Sequence, residues 1–332
     1  MNATYILETK ERPVEALKKF LAALWAETEL QGMLVPTHRP GTMSLQSRLL
    51  RAPEELAELE PFAPFVPVSA ARAVVKIAAE NPDGRFGAVV RPCEARALFY
   101  NARLGFKNRE LWLLVGIDCL ASYPIQDLEW RAERIGSLER LSLESLRFAR
   151  LGGIAPYRYR PACQMCLPTA PKHVDLNISI IGLPVNRLVL VEVRRKEVAD
   201  HLRIARFTAG KAPEGLLTQR EAALSRLESR HNSTRTRLID ALPAGLPGSP
   251  EDLVAYLRDC APCRSCLEAC PIYAGELGNH GNGKYQTSAE TRRWLAECVL
   301  CGQCEQACPR QVALTAIHAR LSQQLAEPLK RT

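Results

Sequence analysis

The amino-terminal part of the chain alternates between helical and irregular patterns. Apolar side chains recur every three or four residues over 13–31, which predicts a helix that starts at Pro13 and buries one face. A short strand is predicted at 32–36 and further helices at 53–59 and 69–80, with an extended, proline-rich segment at 61–67 between them. These apolar stripes are typical of core packing.

From residue 86 the pattern changes to an alternation of strands and helices. A buried strand at 86–90, a helix at 94–104 and a second buried strand at 111–117 form a βαβ unit, which implies a parallel sheet. The apolar segment 188–193 is a further strand that extends this sheet. The sequence at 216–238 predicts a long solvated helix whose arginines face water or a partner.

The carboxyl-terminal part is organised by two matched runs of cysteines. Each cysteine of the first run recurs 38 positions later in the second, and the fourth cysteine of each run is followed by proline. The runs are Cys260, Cys263, Cys266 and Cys270, and Cys298, Cys301, Cys304 and Cys308. A helix of about ten residues is predicted before each run, the first capped by Ser249 and the second by a capping box of Thr287 and Glu290.

This spacing indicates two iron-sulfur clusters. Three thiolates two residues apart can bind three corners of a 4Fe-4S cubane, and the fourth cysteine of each run binds the other cluster in two-cluster ferredoxins. One cluster is therefore assigned to Cys260, Cys263, Cys266 and Cys308, and the second to Cys298, Cys301, Cys304 and Cys270. Zinc sites pair two short knuckles and leave this register of eight cysteines without a role, and disulfides need an oxidising compartment.

Four more cysteines precede the tail. Cys93 lies where the strand at 86–90 gives way to its helix, and Cys119 follows the next strand, so both are expected at the carboxyl edge of the sheet, where ligands bind. A helix N-terminus lowers thiol pKa values and favours Cys93 as a thiolate. Cys163 and Cys166 form a C-x-x-C pair. The four could ligate a third cubane, and the alternative is buried structural cysteines with an isolated C-x-x-C.

Four segments resemble, in order, the motifs of the coenzyme F420 hydrogenase/dehydrogenase β-subunit family. They are 91–98 with its Arg-Pro-Cys-Glu sequence, 116–119, 163–166 and 174–179, and the resemblance covers roughly residues 14 to 200. The family includes β-subunits of deazaflavin-reducing hydrogenases and of certain formate dehydrogenases. The resemblance implies a 4Fe-4S cluster on Cys93, Cys119, Cys163 and Cys166 beside a bound FAD. The tail is similar to the α-helical ferredoxin type of heterodisulfide reductase and succinate dehydrogenase subunits.

The chain departs from this family at two places. Members usually have a Gly-Gly pair at the head of the first helix, near the flavin, where this sequence has Arg12-Pro13-Val14. They also tend to carry an acidic residue shortly after the C-x-x-C, where Leu167-Pro168-Thr169 stands here. These departures leave a flavin-free alternative open.

Composition and charge limit the classes of partner that are expected. The net charge is +8, and its excess lies in residues 131–250, with twenty basic and eleven acidic side chains. The arginines there lack an aromatic stacking pattern, so nucleic acid is not expected as a partner. The first twenty residues have no apolar signal core, and no run of eighteen apolar residues exists, so a cytoplasmic protein without a membrane span is expected.

The predicted organisation has two domains. An α/β head with a parallel βαβ-containing sheet occupies residues 1–241, a linker occupies 242–249, and an all-α ferredoxin-like domain with two 4Fe-4S clusters occupies 250–332. The expected function is that of an iron-sulfur oxidoreductase subunit of an anaerobic redox complex, with up to three clusters and FAD. Its partners would be catalytic and electron-transfer subunits, with ferredoxin or a deazaflavin or nicotinamide coenzyme as a carrier. The alternative is a flavin-free adaptor that docks the two-cluster relay onto a catalytic partner.

Overall fold

The structure is a computed structural model that describes residues 3–38, 45–104, 106, 108–151, 159–195, 201–260, 263–273 and 288–326. The chain forms two units. The first comprises Met1–Tyr159 and Pro168–Ser229, and the second comprises Arg160–Leu167 and Arg230–Thr332. The predicted head therefore contributes residues 160–167 and 230–241 to the same unit as the tail.

A mixed sheet runs through the first unit. Its strands are β1 (Thr4–Glu8), β2 (Met33–His38), β3 (Leu45–Leu50), β4 (Phe86–Val90), β5 (Trp112–Ile117), β6 (Leu176–Ser179) and β7 (Leu188–Val193). Their order in the sheet is β1-β7-β6-β5-β4-β2-β3. The four strands β2, β4, β5 and β6 are parallel, whereas β3, β7 and β1 add antiparallel pairs at the two sides. The predicted α/β head with a parallel βαβ unit is confirmed.

Helices cover this sheet. They are α1 (Pro13–Ala26), α2 (Ala70–Glu80), α3 (Pro92–Leu104), α4 (Leu128–Ile135) and α5 (Leu138–Leu146), and Pro53–Glu58 forms a 3-10 helix. Helix α1 begins at Pro13 as predicted but ends at Ala26 rather than at residue 31. It ends there because the Thr28 hydroxyl and the Trp25 indole bond to nearby carbonyls, which turns the chain out of the helix.

The remaining helices belong mainly to the second unit. They are α6 (Pro161–Gln164), α7 (Glu214–Asp240), α8 (Pro250–Asp259), α9 (Ser265–Glu268), α10 (Ser288–Glu297), α11 (Gln303–Ala307) and α12 (Leu314–Ala326). Helix α7 begins in the first unit and ends in the second. The predicted helical tail is confirmed, and its core contains Leu253, Leu295, Ile317 and Leu321, each at most 1% exposed.

The cysteine repeat extends to the backbone of the tail. Helices α8 and α10 begin and end 38 residues apart, and α9 and α11 also begin 38 residues apart. The predicted cap of α8 is present, because the amide of Asp252 donates to the Ser249 hydroxyl at 3.1 Å. Thr287, the predicted cap of α10, lies outside the described residues. The two halves of the tail are therefore one helix-loop-helix motif used twice.

The pH dependence of stability should reflect a buried carboxyl group, Glu60. Its side chain is 4% exposed, and burial raises its pKa to about 7, with the negative charge of Glu139 adding to the effect. The folded state therefore holds a proton that the unfolded state releases at lower pH, so stability falls as pH rises from about 4.5 to 7. Because glutamine stays neutral, Glu60→Gln should gain stability over the wild type by about 3 kcal/mol between pH 4 and pH 8.

Urea unfolding of the full chain at these two pH values, followed by tryptophan fluorescence, measures this difference. Glu139→Gln is the matched control, because Glu139 is exposed and its removal should reproduce only a small part of the effect. If the free energies of unfolding of Glu60→Gln and the wild type differ by the same amount at both pH values, the raised pKa of Glu60 is contradicted.

Candidate metal centres

Both cysteine runs contain a residue with left-handed backbone at the same position. Arg264, with a φ of 49°, precedes α9, and Gly302, with a φ of 69°, precedes α11. The two residues occupy the same position in the repeat, between the second and third cysteine of each run. The chain therefore turns sharply at the same point in both runs, with a short helix carrying the third cysteine.

The first group of thiols is centred on Cys266. Burial raises the pKa of the Cys266 thiol to about 11, and neighbouring thiolate charges raise it as well. Those neighbours are Cys308, Cys260 and Cys263. Three of the four cysteines belong to the first run and one to the second, so this group has the composition that the spacing predicted for one cubane.

The second group is centred on Cys304. Burial raises the pKa of the Cys304 thiol well above its usual value, and again the charges of neighbouring thiolates add to the effect. Those neighbours are Cys298, Cys301, Cys270 and Cys266. The group contains the four cysteines predicted for the other cubane, and Cys266 brings it next to the first group.

These thiols fit an iron-sulfur cluster chemically. Thiolates placed side by side repel one another, and a bound cation removes this penalty because it holds its thiol ligands deprotonated. Within the described ranges, no three side chains of Cys, His, Asp or Glu converge closely enough to hold one metal ion. The ligands of a cubane surround a cage of several atoms, so they do not need to converge on a single point.

The two groups differ in their surroundings. Cys263 is exposed and its thiol contacts the Ser265 hydroxyl at 3.3 Å, a hydrogen bond that lowers its pKa. Cys304 and Cys270, in the second group, are each 9% exposed. The first group therefore reaches the surface of this unit, while the second lies deeper.

Hydrogen-bond donors approach both groups from outside the cysteine runs. A guanidinium nitrogen of Arg310 lies 3.8 Å from the Cys260 sulfur, and Nδ1 of His318 lies 3.4 Å from the Cys298 sulfur. Burial lowers the pKa of His318 to about 4. The spacing of the cysteines gives no signal for either donor, so neither is predicted from the sequence.

The C-x-x-C pair is built into the second unit. Arg160 places one guanidinium nitrogen 3.6 Å from the Cys163 sulfur and another 3.3 Å from the side-chain oxygen of Gln306 on α11. Nδ1 of His231 lies 2.8 Å from the carbonyl oxygen of Cys166. This segment is therefore fastened to α11 and to the end of α7, next to the second cysteine group.

Gly302 allows this close approach. A Cβ atom at residue 302 would lie 2.4 Å from the Cβ of Ala162, and the φ of 69° is one that other residues adopt at a cost. Gly302→Ala should therefore lower the free energy of unfolding by about 2–4 kcal/mol, through a clash and a strained backbone together.

Chemical unfolding of the full chain tests this expectation. Gly245→Ala is the matched control, because nothing lies within 4 Å of the Cβ that it would add. Equal stability of the two variants would mean that residues 162 and 302 are not packed as described.

The other two predicted head cysteines lie in the first unit. Cys93 is the second residue of α3, and Arg96 of the same helix donates to the carbonyl of Pro168 at 3.0 Å. Cys119 follows β5, and its amide donates to the carbonyl of Thr169 at 3.4 Å. Both cysteines are partly buried at the carboxyl ends of parallel strands, as predicted. The four predicted head ligands are thus divided equally between the two units.

A buried ion-pair network fixes the residue before Cys119. Asp118 accepts hydrogen bonds from two guanidinium nitrogens of Arg220, at 2.5 and 3.0 Å, and Arg220 also donates to Glu192 at 2.5 Å. Arg220 is 4% exposed, so the prediction that the arginines of this helix face water or a partner is wrong for this residue. Its partners, Asp118 and Glu192, are distant in sequence, which is why the helix pattern could not reveal the contact.

Comparisons with known proteins match the tail to a protein family and the fold to a solved structure. Residues 259–312 match the family model of a 4Fe-4S dicluster domain. No curated protein sequence matches the chain. Among solved structures, a chain of the F420-reducing NiFe hydrogenase complex from Methanosarcina barkeri is similar, with a TM-score of 0.54 and 14% identity over 72% of this chain and 92% of that chain. At this identity the similarity establishes the fold.

No helix in the described part of the chain is both long and apolar enough to cross a membrane.

Proposed function

We propose that this protein is an electron-transfer subunit of a larger redox complex, in which two 4Fe-4S clusters of the tail form a relay. The observation that carries the proposal is the grouping of the eight tail cysteines into two sets that each draw their fourth member from the other run. The match to a dicluster domain over the same residues supports it. Bound clusters of this type supply one-electron transfer.

The chain's own residues support an order for the relay. The first set reaches the surface at Cys263, and the two sets adjoin at Cys266. The C-x-x-C segment packs against the second set through the contact between Ala162 and Gly302. An electron that enters at the exposed set would thus pass through the buried set toward Cys163 and Cys166.

A third cluster, with Cys93, Cys119, Cys163 and Cys166 as ligands, is part of this proposal. Two of its ligands, Cys93 and Cys119, lie at the carboxyl edge of the sheet, where open parallel sheets bind their ligands. In this proposal the catalytic chemistry belongs to a partner subunit.

In one version of the proposal the protein is a flavoprotein that binds FAD. A cavity of about 600 Å³ lies beside the start of α1, and Lys10, Arg12 and Lys19 line it, which suits a ligand that carries a diphosphate. A flavin would supply the exchange between single electrons and a hydride.

The turn before α1 favours a second candidate, a flavin-free relay that docks onto a catalytic subunit. Lys10 and Glu11 both have positive φ, at 47° and 64°, a conformation that suits glycine. Side chains at these two positions keep a cofactor farther from the backbone than glycine would, and the segment that replaces the family's glycine pair, Arg12-Pro13-Val14, follows directly. Glu8 and Glu15 also line the cavity and would repel a diphosphate.

Iron and flavin content of the anaerobically purified full chain tests both versions. Three cubanes require about twelve irons per chain and two require about eight. FAD released on denaturation supports the flavoprotein, whereas irons without FAD support the flavin-free relay. A matched variant, Cys163→Ser with Cys166→Ser, should lose about four irons from the wild type if the third cluster is present. Fewer than about eight irons, together with no cluster signal on reduction, would overturn the relay itself.

A further inference from the structure

Arg310 contacts the first cysteine group with a charged donor. Its guanidinium lies 3.8 Å from the Cys260 sulfur and 5.6 Å from the centre of the Tyr256 ring, which holds it over the group. Arg310 itself is exposed to solvent. The sulfur stands for an iron-bound thiolate in the loaded protein, which can only accept a hydrogen bond.

His318 contacts the second group with a buried donor. It is 1% exposed, and its ring meets Trp294 edge-on at 4.3 Å between ring centres. Nδ1 lies 3.4 Å from the Cys298 sulfur, and among the described residues Nε2 has no hydrogen-bond partner. Since a thiolate accepts only, the tautomer that fits this contact carries its proton on Nδ1.

The two hydrogen-bond donors contact equivalent cysteines of the repeat. Cys260 and Cys298 occupy the same position in the two runs, so their donors can be compared directly. The residue 38 positions before Arg310 is Ile272, which is buried and apolar. The second half of the tail therefore supplies a cation to the first group, and the first half supplies no cation in return from this position.

We propose that Arg310 and His318 are positioning residues that set the reduction potentials of the two tail clusters separately, one donor for each cluster. This inference rests on the proposed two-cluster relay. Reduction adds one negative charge to a cluster, and a donor to a ligand sulfur stabilises the more negative form. Removal of either donor should therefore make the potential of its own cluster more negative and leave the other unchanged.

The two effects should respond differently to salt. Arg310 is exposed, so its attraction for the reduced cluster is screened when the Debye length falls from about 30 Å at 0.01 M to about 3 Å at 1 M ionic strength. His318 is 1% exposed, so salt does not screen its hydrogen bond.

Potentiometric titration of the full chain, monitored by electron paramagnetic resonance, tests the proposal. Arg310→Gln should shift one of the tail potentials to a more negative value, by an amount that shrinks at high salt, while Arg310→Lys should recover part of the shift. Arg292→Gln is the control, because it removes the same charge from the same unit at an exposed residue that is paired with Glu251. It should shift neither potential by a comparable amount.

His318→Leu should shift the other tail potential to a more negative value at all salt concentrations. His318→Asn can present an amide hydrogen near the position of Nδ1, so it should restore the potential toward the wild-type value. His318→Leu could lose iron because the change disturbs the core. In that case His318→Asn still tests the donor by comparison with His318→Gln, whose longer side chain places its amide elsewhere. The tail potential should be higher in His318→Asn than in His318→Gln.

The outcomes separate this inference from the relay on which it rests. If both tail clusters are present and Arg310→Gln and His318→Leu shift the same potential, or shift none, the inference is wrong and the relay stands. If the wild-type protein holds fewer than two clusters, the relay fails, and the inference fails with it for a different reason.

Discussion

Replacing Arg220 by methionine is expected to lower the free energy of unfolding by about 3–5 kcal/mol, because the change leaves the buried carboxylate of Asp118 without its cation. Asp118 has a fully buried side chain, whereas Glu192, which is 14% exposed, keeps its ion pair with Arg194. The other donors to Asp118, including the backbone amides of Ile180 and Ile181, remain but carry no full charge. Denaturant unfolding of the full chain measures the loss.

The matched control for this prediction is Arg226→Met. Arg226 lies on the same helix, α7, and is exposed, so its replacement should change stability by less than about 0.5 kcal/mol. Comparable losses in the two variants would show that the helix, rather than the buried ion pairs, determines the effect. A double variant that adds Asp118→Asn to Arg220→Met should recover part of the loss, since it removes the unpaired charge.

Replacing Cys308 by serine is expected to remove about four irons, those of the cluster that is assigned to the first run. The reason is the grouping of Cys308 with Cys266 and Cys260 rather than with its own run. In crossed ligation each cluster takes its fourth cysteine from the other run, whereas in uncrossed ligation each cluster is bound by one run alone. Iron analysis of double variants distinguishes the two arrangements. Cys308→Ser combined with Cys260→Ser should lose no more iron than either single change, because both affect one cluster.

The complementary double variant gives the opposite expectation. Cys308→Ser combined with Cys298→Ser should lose about eight irons, since it damages both clusters. In uncrossed ligation Cys308 and Cys298 would bind the same cluster. The double variant of Cys308 and Cys260 would then lose about eight irons, and that of Cys308 and Cys298 about four. Partial cluster conversion in a serine variant would change the absolute numbers but not which pair of changes is additive.

The sequence predicted those features that depend on local period and spacing. Helices α8 and α10 were expected from Ser249 and from the capping and propensity pattern before Cys298, and both are present. The βαβ unit was likewise expected, because continuous apolar runs such as 86–90 and 111–117 are typical of strands buried on both faces.

The features that the sequence did not reveal depend on pairing between distant segments. Strand β1 was missed because five residues carry little periodic signal and its partner, β7, lies at least 180 residues away. Strand β3 is an edge strand that pairs only with β2, and its alternation of polar and apolar residues is weak. In both strands the tertiary pairing decided the structure more than the local pattern did.

Contacts to the cysteine groups were missed for a related reason. Arg310 and His318 approach sulfurs 50 and 20 residues away in the sequence. The C-x-x-C segment was predicted as part of the head because it follows the βαβ unit along the chain, whereas residues 160–167 belong to the unit of the tail. Spacing predicts which cysteines can share a cluster but does not report which other side chains reach them.

The exchange of the fourth cysteine between the two runs has a consequence for the biogenesis of the protein. Under crossed ligation the first ligand set is complete only when Cys308 has been synthesised, even though its other members end at Cys266. Neither cluster could then be inserted before the ribosome has made cysteines of the second run. Cluster insertion would be a late event, and a chain truncated before residue 308 would leave the first set one ligand short and lack the helix α12 that closes the tail core.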